Sequence, residues 1–322
     1  MYVCRLIPTT ERMEFPMKRI PLGATGLQVP AIAVGCMRIS GMPEDKLDRH
    51  LLFCMEQGLN FFDHADIYGG GKCEEVFAAA VKRTGLRRED MFLQSKCGIR
   101  PGMYDFSREH ILCAVDGILK RLDTEYLDML VLHRPDALME PEEVAQAFDE
   151  LESSGKVRRF GVSNHRPSQI ALLKKCVRQP ICVDQLQFSL PVSGMVSSGL
   201  EVNMDTPGAI DRDGGVLDYC RLHDITVQAW SPFQYGFFQG PFVGNLEKYP
   251  ELNRVLDELG EKYDVSPTAI AAAWIFRHPA NIQLVAGTTN QDRMAQIVRG
   301  SEITLERSEW YRLYLAAGNI LP

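Results

Sequence analysis

None of the nine cysteines in this chain (Cys4, Cys36, Cys54, Cys73, Cys97, Cys113, Cys176, Cys182 and Cys220) belongs to a CxxC pair. An odd, scattered set excludes a zinc ribbon or a disulfide framework. Several lie in apolar runs, as free buried thiols do, so a reducing, cytoplasmic setting is expected. No apolar run approaches the roughly 20 residues that a membrane span needs. The opening MYVCRLIPTTERMEFP lacks the apolar centre of a secretory signal. Residues 1–17 therefore read as a loose extension, and 18–322 as a single domain. A basic stripe is missing too: the net charge of −7 is spread through mixed clusters such as KLDRH and KRTGLRRED, which excludes nucleic acid as a partner. GxGxxG does not occur, which argues against an open dinucleotide-binding sheet. Nor is there an obligate interface pattern, so a monomer or weak homodimer is expected.

What the chain does have is a repeating alternation of strand and helix. After KRIPLGATGLQVP, a hairpin turning at Gly23 to Gly26, apolar strand segments fall at 31–37, 60–65, 91–96, 126–133, 157–164, 181–186, 225–230 and 282–287. Helix-period segments lie between them, including 43–57, 108–122, 141–154 and 266–278. Ser107, Pro141, Pro167 and Ser266 open helices, and Gly58 and Gly155 stop them. Eight such units predict an α/β fold of the closed kind, a (β/α)8 barrel with an N-terminal β-hairpin. Two connections, 189–215 and 231–250, are too long for plain loops and follow strands, on the face where barrel enzymes keep their sites. The second is rich in Phe, Tyr and Gly and suited to fold over a ligand.

Polar residues recur at the strand ends: Asp63, Lys96, His133, Asn164, Gln185, Trp230 and Thr288 follow or close the second to eighth strands. That register places them around one rim. Tyr68, just past the second strand, adds a phenol. A free phenol titrates near ~10 and is a slow donor at neutral pH. A lysine ammonium at about 4 Å attracts the phenolate by roughly 4 kcal/mol at an effective dielectric of about 20. Lys96 is thus expected to lower the pKa of Tyr68, with Asp63 holding the lysine charged. These groups define a proton-transfer set without deciding between hydride transfer and isomerisation.

The pieces FFDHADIYGGG, LQSKCGI, LVLHRPD, GVSNH, VDQLQFSL, AWSPF and AGTTNQDRM, in that order, resemble the aldo-keto reductase superfamily from about Lys18 to the end. The FDHADIYGGG and SKCGI wordings and the WYRLYLAA tail are most similar to its bacterial general-oxidoreductase branch. The resemblance implies NADP(H) as cofactor and a small-molecule carbonyl substrate, an aldehyde or ketone. It makes Tyr68 the proton donor, Lys96 and Asp63 its tuning pair, and His133 the group that orients the carbonyl. It places Ser163, Asn164 and Gln185 on the nicotinamide carboxamide and Trp230 against the ring, where many members have tyrosine. Ser231, Pro232 and Phe233 run along the pyrophosphate, Thr288 and Arg293 hold the 2′-phosphate, and Gln296 touches adenine. Gly35, Cys36 and Met37 count among the cofactor contacts, Met37 standing where many members place tryptophan. Gly287 departs from the lysine that many NADP-preferring members carry. Two rival readings use the same scaffold: a lyase or isomerase with Lys96 as Schiff-base amine, and an NADPH-binding redox sensor or regulatory subunit.

Other motifs point elsewhere. His64 and Asp66 form an HxD that alternation turns away from Asp63, so a hydrogen-bonded structural role is expected rather than a metal site. Cys97 is expected as a buried inert thiol. DRDGG (211–215) lacks calcium-ligand spacing and reads as a solvated turn. Gly69 to Gly71 read as a turn into a helix near Cys73, and Trp274 as core.

Overall fold

The computed structural model describes residues 17–322. Eight parallel strands close into a barrel in simple sequential order: β1 (Ile32–Gly35), β2 (Phe61–Asp63), β3 (Phe92–Cys97), β4 (Met129–Leu132), β5 (Phe160–Ser163), β6 (Ile181–Gln187), β7 (Thr226–Trp230) and β8 (Ile282–Ala286). Each corresponds to one of the expected segments. The expected hairpin is there as well, Arg19–Pro21 pairing antiparallel with Gln28–Pro30. Of the expected 1–17 extension, residues 1–16 lie outside the described residues. Met17 is partly buried against the core.

Alternation along the strands builds two layers. Ala31, Ala33, Phe61, Met129, Val131, Val183 and Val285 pack together inside the barrel with Ile20, Leu22 and Val29 of the hairpin region. The intervening Ile32, Val34, Phe62, Leu93, Leu130 and Val162 meet the surrounding helices. Gly161 of β5 belongs to the tight interior: a Cβ there would approach Val183 Cγ2 to 2.4 Å.

The helices start where their chemistry says. The side chain of Ser107 accepts from His110 N at 3.3 Å, and that of Ser266 from Ala269 N at 3.2 Å, each capping amides that have no intrahelical partner. Pro141 and Pro167 occupy first-turn positions, where the missing N–H is harmless. Trp274 is fully buried, stacked on Trp310 with centroids 5.0 Å apart. The 189–215 connection contains a short helix, Gly194–Leu200. In DRDGG, the carboxylates of Asp211 and Asp213 accept from local backbone amides, as a turn requires. The eight described cysteines are all free. Among the described residues, no helix is long and apolar enough to cross a membrane, and no group of three or more potential metal ligands forms.

Candidate active site

The C-terminal ends of the barrel strands open into a cavity of about 1020 Å³. Asp63, Tyr68, His133, Ser163, Asn164, Gln185, Trp230, Ser231, Pro232, Phe233, Thr288 and Arg293 line it, with Gly35 and Met37. The sequence-predicted residues thus converge on one space, with three exceptions, the first being Lys96, which is buried behind Asp63 and Tyr68 and does not reach the wall. Cys36 turns outward into the layer between strands and helices, its thiol 3.5 Å from Val34 O. Gln296 is half-buried on the helix Gln291–Gly300, and the wall there is formed by Arg293.

Asp63 ends β2 with its side chain inside the barrel, and Lys96 lies on the neighbouring strand. Both are buried, Lys96 at 0 % exposure. Nζ of Lys96 donates to Asp63 Oδ2 at 2.8 Å, to the carbonyl oxygen of His64 at 2.8 Å and to the phenolic oxygen of Tyr68 at 3.2 Å. All three ammonium protons are thereby used. Burial alone would lower the amine, but Asp63 and Tyr68 outweigh it and hold Lys96 above the ordinary lysine value. Tyr68 is placed by a turn that only glycine forms easily: Gly69, Gly70 and Gly71 all adopt positive φ, 59°, 64° and 91°, before the helix Lys72–Thr84 begins.

The expected lowering of the phenol does not occur. Burial pushes Tyr68 up; Lys96 pulls it back, and Asp63 pushes it up again, leaving the net shift upward. The main reason is burial of the phenol; the Asp63 carboxylate, 2.8 Å from Nζ, also offsets part of the ammonium field. Tyr68 therefore holds its proton at neutral pH. Across the pocket, His133 meets the Tyr68 ring edge-on with centroids 6.1 Å apart. Burial, then Lys96 and Arg134, hold His133 well below the ordinary histidine range, so the imidazole is neutral. Its Nδ1 has no hydrogen-bond partner among the described residues.

A network of glutamines, which sequence reasoning missed apart from Gln185, ties Asp63 to the barrel interior. Gln94 Nε2 donates to Asp63 Oδ1 at 2.5 Å and to Gln228 Oε1 at 2.9 Å. Gln185 Nε2 reaches the same two acceptors at 3.2 and 3.0 Å. Gln228 in turn donates to Gln94 Oε1 and Gln283 Oε1, and Gln283 to Pro30 O. Each lies on a strand position facing the axis, and neighbours are register partners: Gln185 opposite Gln228, Gln228 opposite Gln283, and Asp63 opposite Gln94. The signal was available as polar residues inside strands at interior parity.

On the opposite rim, Ser163 Oγ donates to Gln185 O at 2.9 Å, Asn164 Nδ2 to Ser163 Oγ at 2.7 Å, and Trp230 Nε1 to Asn164 Oδ1 at 3.2 Å. Asn164 and Ser231 both hold left-handed backbone, φ 60° and 50°, which is uncommon outside glycine and tends to persist at functional sites. The 231–250 connection sends Phe233, Gln234, Phe237, Phe238, Gly240 and Pro241 to the wall. Ile99 and Tyr104, from the small hairpin Ile99–Arg100/Met103–Tyr104 after β3, add to it. Sequence reasoning also missed Arg38 and Arg134 as wall residues.

The set-aside motifs behave differently from one another. His64 is buried with neither ring nitrogen hydrogen-bonded among the described residues, packed edge-on to Phe77 at 4.6 Å; burial and Lys96 lower it to about 3. The hydrogen-bonded role expected of it is thus replaced by packing. Burial and Glu74 raise Asp66 to about 7. Cys97 is buried outside the barrel interior, and burial and nearby carboxylates raise its thiol well above the ordinary value, which makes it inert.

A closed barrel with an aspartate, lysine, tyrosine and histidine at its C-terminal mouth defines a class of oxidoreductase, and the sequence comparison agrees. The Aldo/keto reductase family profile matches residues 31–314, and the chain belongs to that family. It is 33% identical over 313 residues to the uncharacterized oxidoreductase YcsN of Bacillus subtilis, covering 93% of this chain and 98% of that protein. It is 31% identical to a 6-dehydroglucose reductase of Agrobacterium fabrum, over 94% of this chain and 98% of the relative. A crystal structure of the thermostable aldo-keto reductase Tm1743 in complex with the inhibitor epalrestat superposes with a TM-score of 0.75 at 26% identity, covering 93% of this chain and all of that one.

Proposed function

We propose that the chain is an NADPH-dependent carbonyl reductase for small aldehydes or ketones, with Tyr68 as proton donor. The observation that carries this reading is the buried Lys96, hydrogen-bonded at once to Asp63 and to Tyr68, whose ring faces the cavity. The cavity suits a nicotinamide dinucleotide phosphate on its own features. Trp230 offers an aromatic face, Asn164 is fixed beside it by the indole N–H, and at the β8 end the Arg293 guanidinium donates, among the described residues, only to Thr288 Oγ1, at 3.4 Å. No acidic residue pairs with Arg293 among the described residues, leaving its planar fork for a phosphate. Gly287, at the lysine position of many relatives, is open on that side.

The nicotinamide, when bound, supplies the hydride. Tyr68 gives its proton to the carbonyl oxygen as that oxygen becomes a hydroxyl. The phenolate left behind faces the Lys96 ammonium at 3.2 Å, which stabilises it while Asp63 keeps the amine charged. Neutral His133 supplies an N–H to the carbonyl oxygen and fixes its orientation. Against a Schiff-base lyase stand the complete burial of Lys96 and its three acceptors. A sensor without turnover has no use for a proton-loaded tyrosine. Loss of NADPH absorbance in the presence of an aldehyde and ketone panel tests the proposal. Binding of NADPH with no turnover of any of them would favour the sensor.

A further inference from the structure

Among the described residues three arginines line the cavity, Arg38, Arg134 and Arg293, and the only carboxylate in its wall, Asp63, is committed to Lys96. Arg293 sits where the 2′-phosphate is proposed to lie, and Arg38 stands at the same end. Arg293 touches Thr288, and Arg38 donates to Gly287 O at 3.4 Å, both at the β8–β1 side. Arg134 is elsewhere. It follows His133 directly after β4, four strands round the closed barrel from β8.

The guanidinium of Arg134 has no ion pair and donates no hydrogen bond among the described residues. Its nearest acidic neighbour in sequence, Asp136, is taken: Oδ2 accepts from Phe106 N at 2.9 Å and Oδ1 from Leu138 N at 2.8 Å. What Arg134 does touch is aromatic. Its Cζ is 5.7 Å from the Trp230 ring centroid and 6.0 Å from that of Phe237. Phe237 stands edge-on to Trp230 at 6.1 Å and is 60% exposed, so it still has a face to offer a ligand. An unpaired, half-buried cation held by ring faces keeps its N–H fork unspent, and the rings shield whatever it binds from water.

We propose that Arg134 anchors the substrate, and that the preferred substrates are aldehydes or ketones bearing a carboxylate. The inference rests on the reductase reading above and adds the substrate class to it. A monoanion is favoured over a phosphate ester because one guanidinium faces this end of the cavity, Lys96 being neutralised by Asp63. The anion docks on Arg134, and the carbonyl then falls between its sequence neighbour His133 and Tyr68. In a chain of net charge −7, a positive cavity also draws anions toward it.

The test compares 4-formylbenzoate with its neutral methyl ester, using NADPH and the full chain. The acid should show a kcat/KM about tenfold or more above the ester, most of it in KM, as expected for one charge-assisted contact. Arg134→Met should collapse that ratio to near one, and Arg134→Lys should keep part of it. A second arm needs no hydride: 4-(hydroxymethyl)benzoate, titrated against tryptophan fluorescence, should bind about tenfold more weakly to Arg134→Met. A variant that retains the acid-to-ester ratio, or that binds the alcohol as tightly as the parent, overturns the anchor. If the parent turns over neither aldehyde, the wider aldehyde and ketone panel decides the reductase reading, and the binding arm alone decides for or against Arg134.

Discussion

Nζ of Lys96 lies 3.2 Å from the phenolic oxygen of Tyr68, on a side chain with no solvent exposure. That contact acts late. While Tyr68 is protonated it is an ordinary hydrogen bond; once the proton has left, it becomes a charge–charge contact. Tyr68→Phe removes only the oxygen and leaves Lys96 on Asp63 and His64. It should reduce kcat by about 10²-fold or more, the usual worth of a positioned general acid, while changing the NADPH dissociation constant little. Single-turnover kinetics with a generic aldehyde checks this, and an unaltered kcat would reject the donor assignment.

Lys96→Met tests the other half of the pair. Asp63 would keep its donors from Gln94 and Gln185 but lose its counter-charge in a buried setting. Breaking a buried pair from one side costs about 3 kcal/mol or more. Asp63→Leu combined with Lys96→Met should therefore be less destabilised than the two single losses added together. Urea unfolding of the four proteins measures it. Strict additivity would mean that the two charges do not depend on each other for stability.

Much of this site is legible in the sequence because barrel geometry is periodic. A strand end is recognisable, and Asp63, Lys96 and His133 fall at the same parity, so their convergence follows once eight strands are counted. Burial is not periodic in that sense. The direction of the Tyr68 shift depends first on how deeply the phenol is buried and then on how Lys96 and Asp63 offset each other, matters that spacing does not encode. Gln94, Gln228 and Gln283 escaped notice because a glutamine inside an apolar strand carries no charge signature, and its partners lie on strands far away in the chain. Arg134 was hidden in LVLHRPD by its more familiar neighbour, and only the commitment of Asp136 elsewhere shows that it is unpaired.

The 2′-phosphate end offers a gain-of-function test. A Cβ on Gly287 meets no atom within 4 Å, and the residue's backbone is not in the left-handed region. Gly287→Lys should therefore be accommodated and add a cation beside Arg293. The ratio of NADPH to NADH affinity should rise about tenfold, in line with one added charge-assisted contact. Arg293→Ala should lower the same ratio. Equal effects on both dinucleotides would place the 2′-phosphate elsewhere.

Asp184 gives the fold a pH dependence separate from catalysis. It lies on β6 beside Gln185, fully buried, with Oδ2 unpartnered among the described residues. Burial raises it to about 8, against small opposing contributions from the His165 and Asn164 amides. Its folded pKa thus exceeds the unfolded value of about 3.9, so between those limits the native state binds more protons than the unfolded chain. The stabilisation from this proton is complete below about pH 4 and is lost as pH rises toward 8. Asp184→Asn mimics the protonated form and removes that dependence. Urea unfolding at pH 5 and pH 8 should show the variant gaining on the parent at the higher pH, by about 1 kcal/mol for each pH unit over which the parent must hold the proton. A variant whose margin over the parent stays the same, or shrinks, between the two pH values would show that Asp184 is ionised in the native barrel.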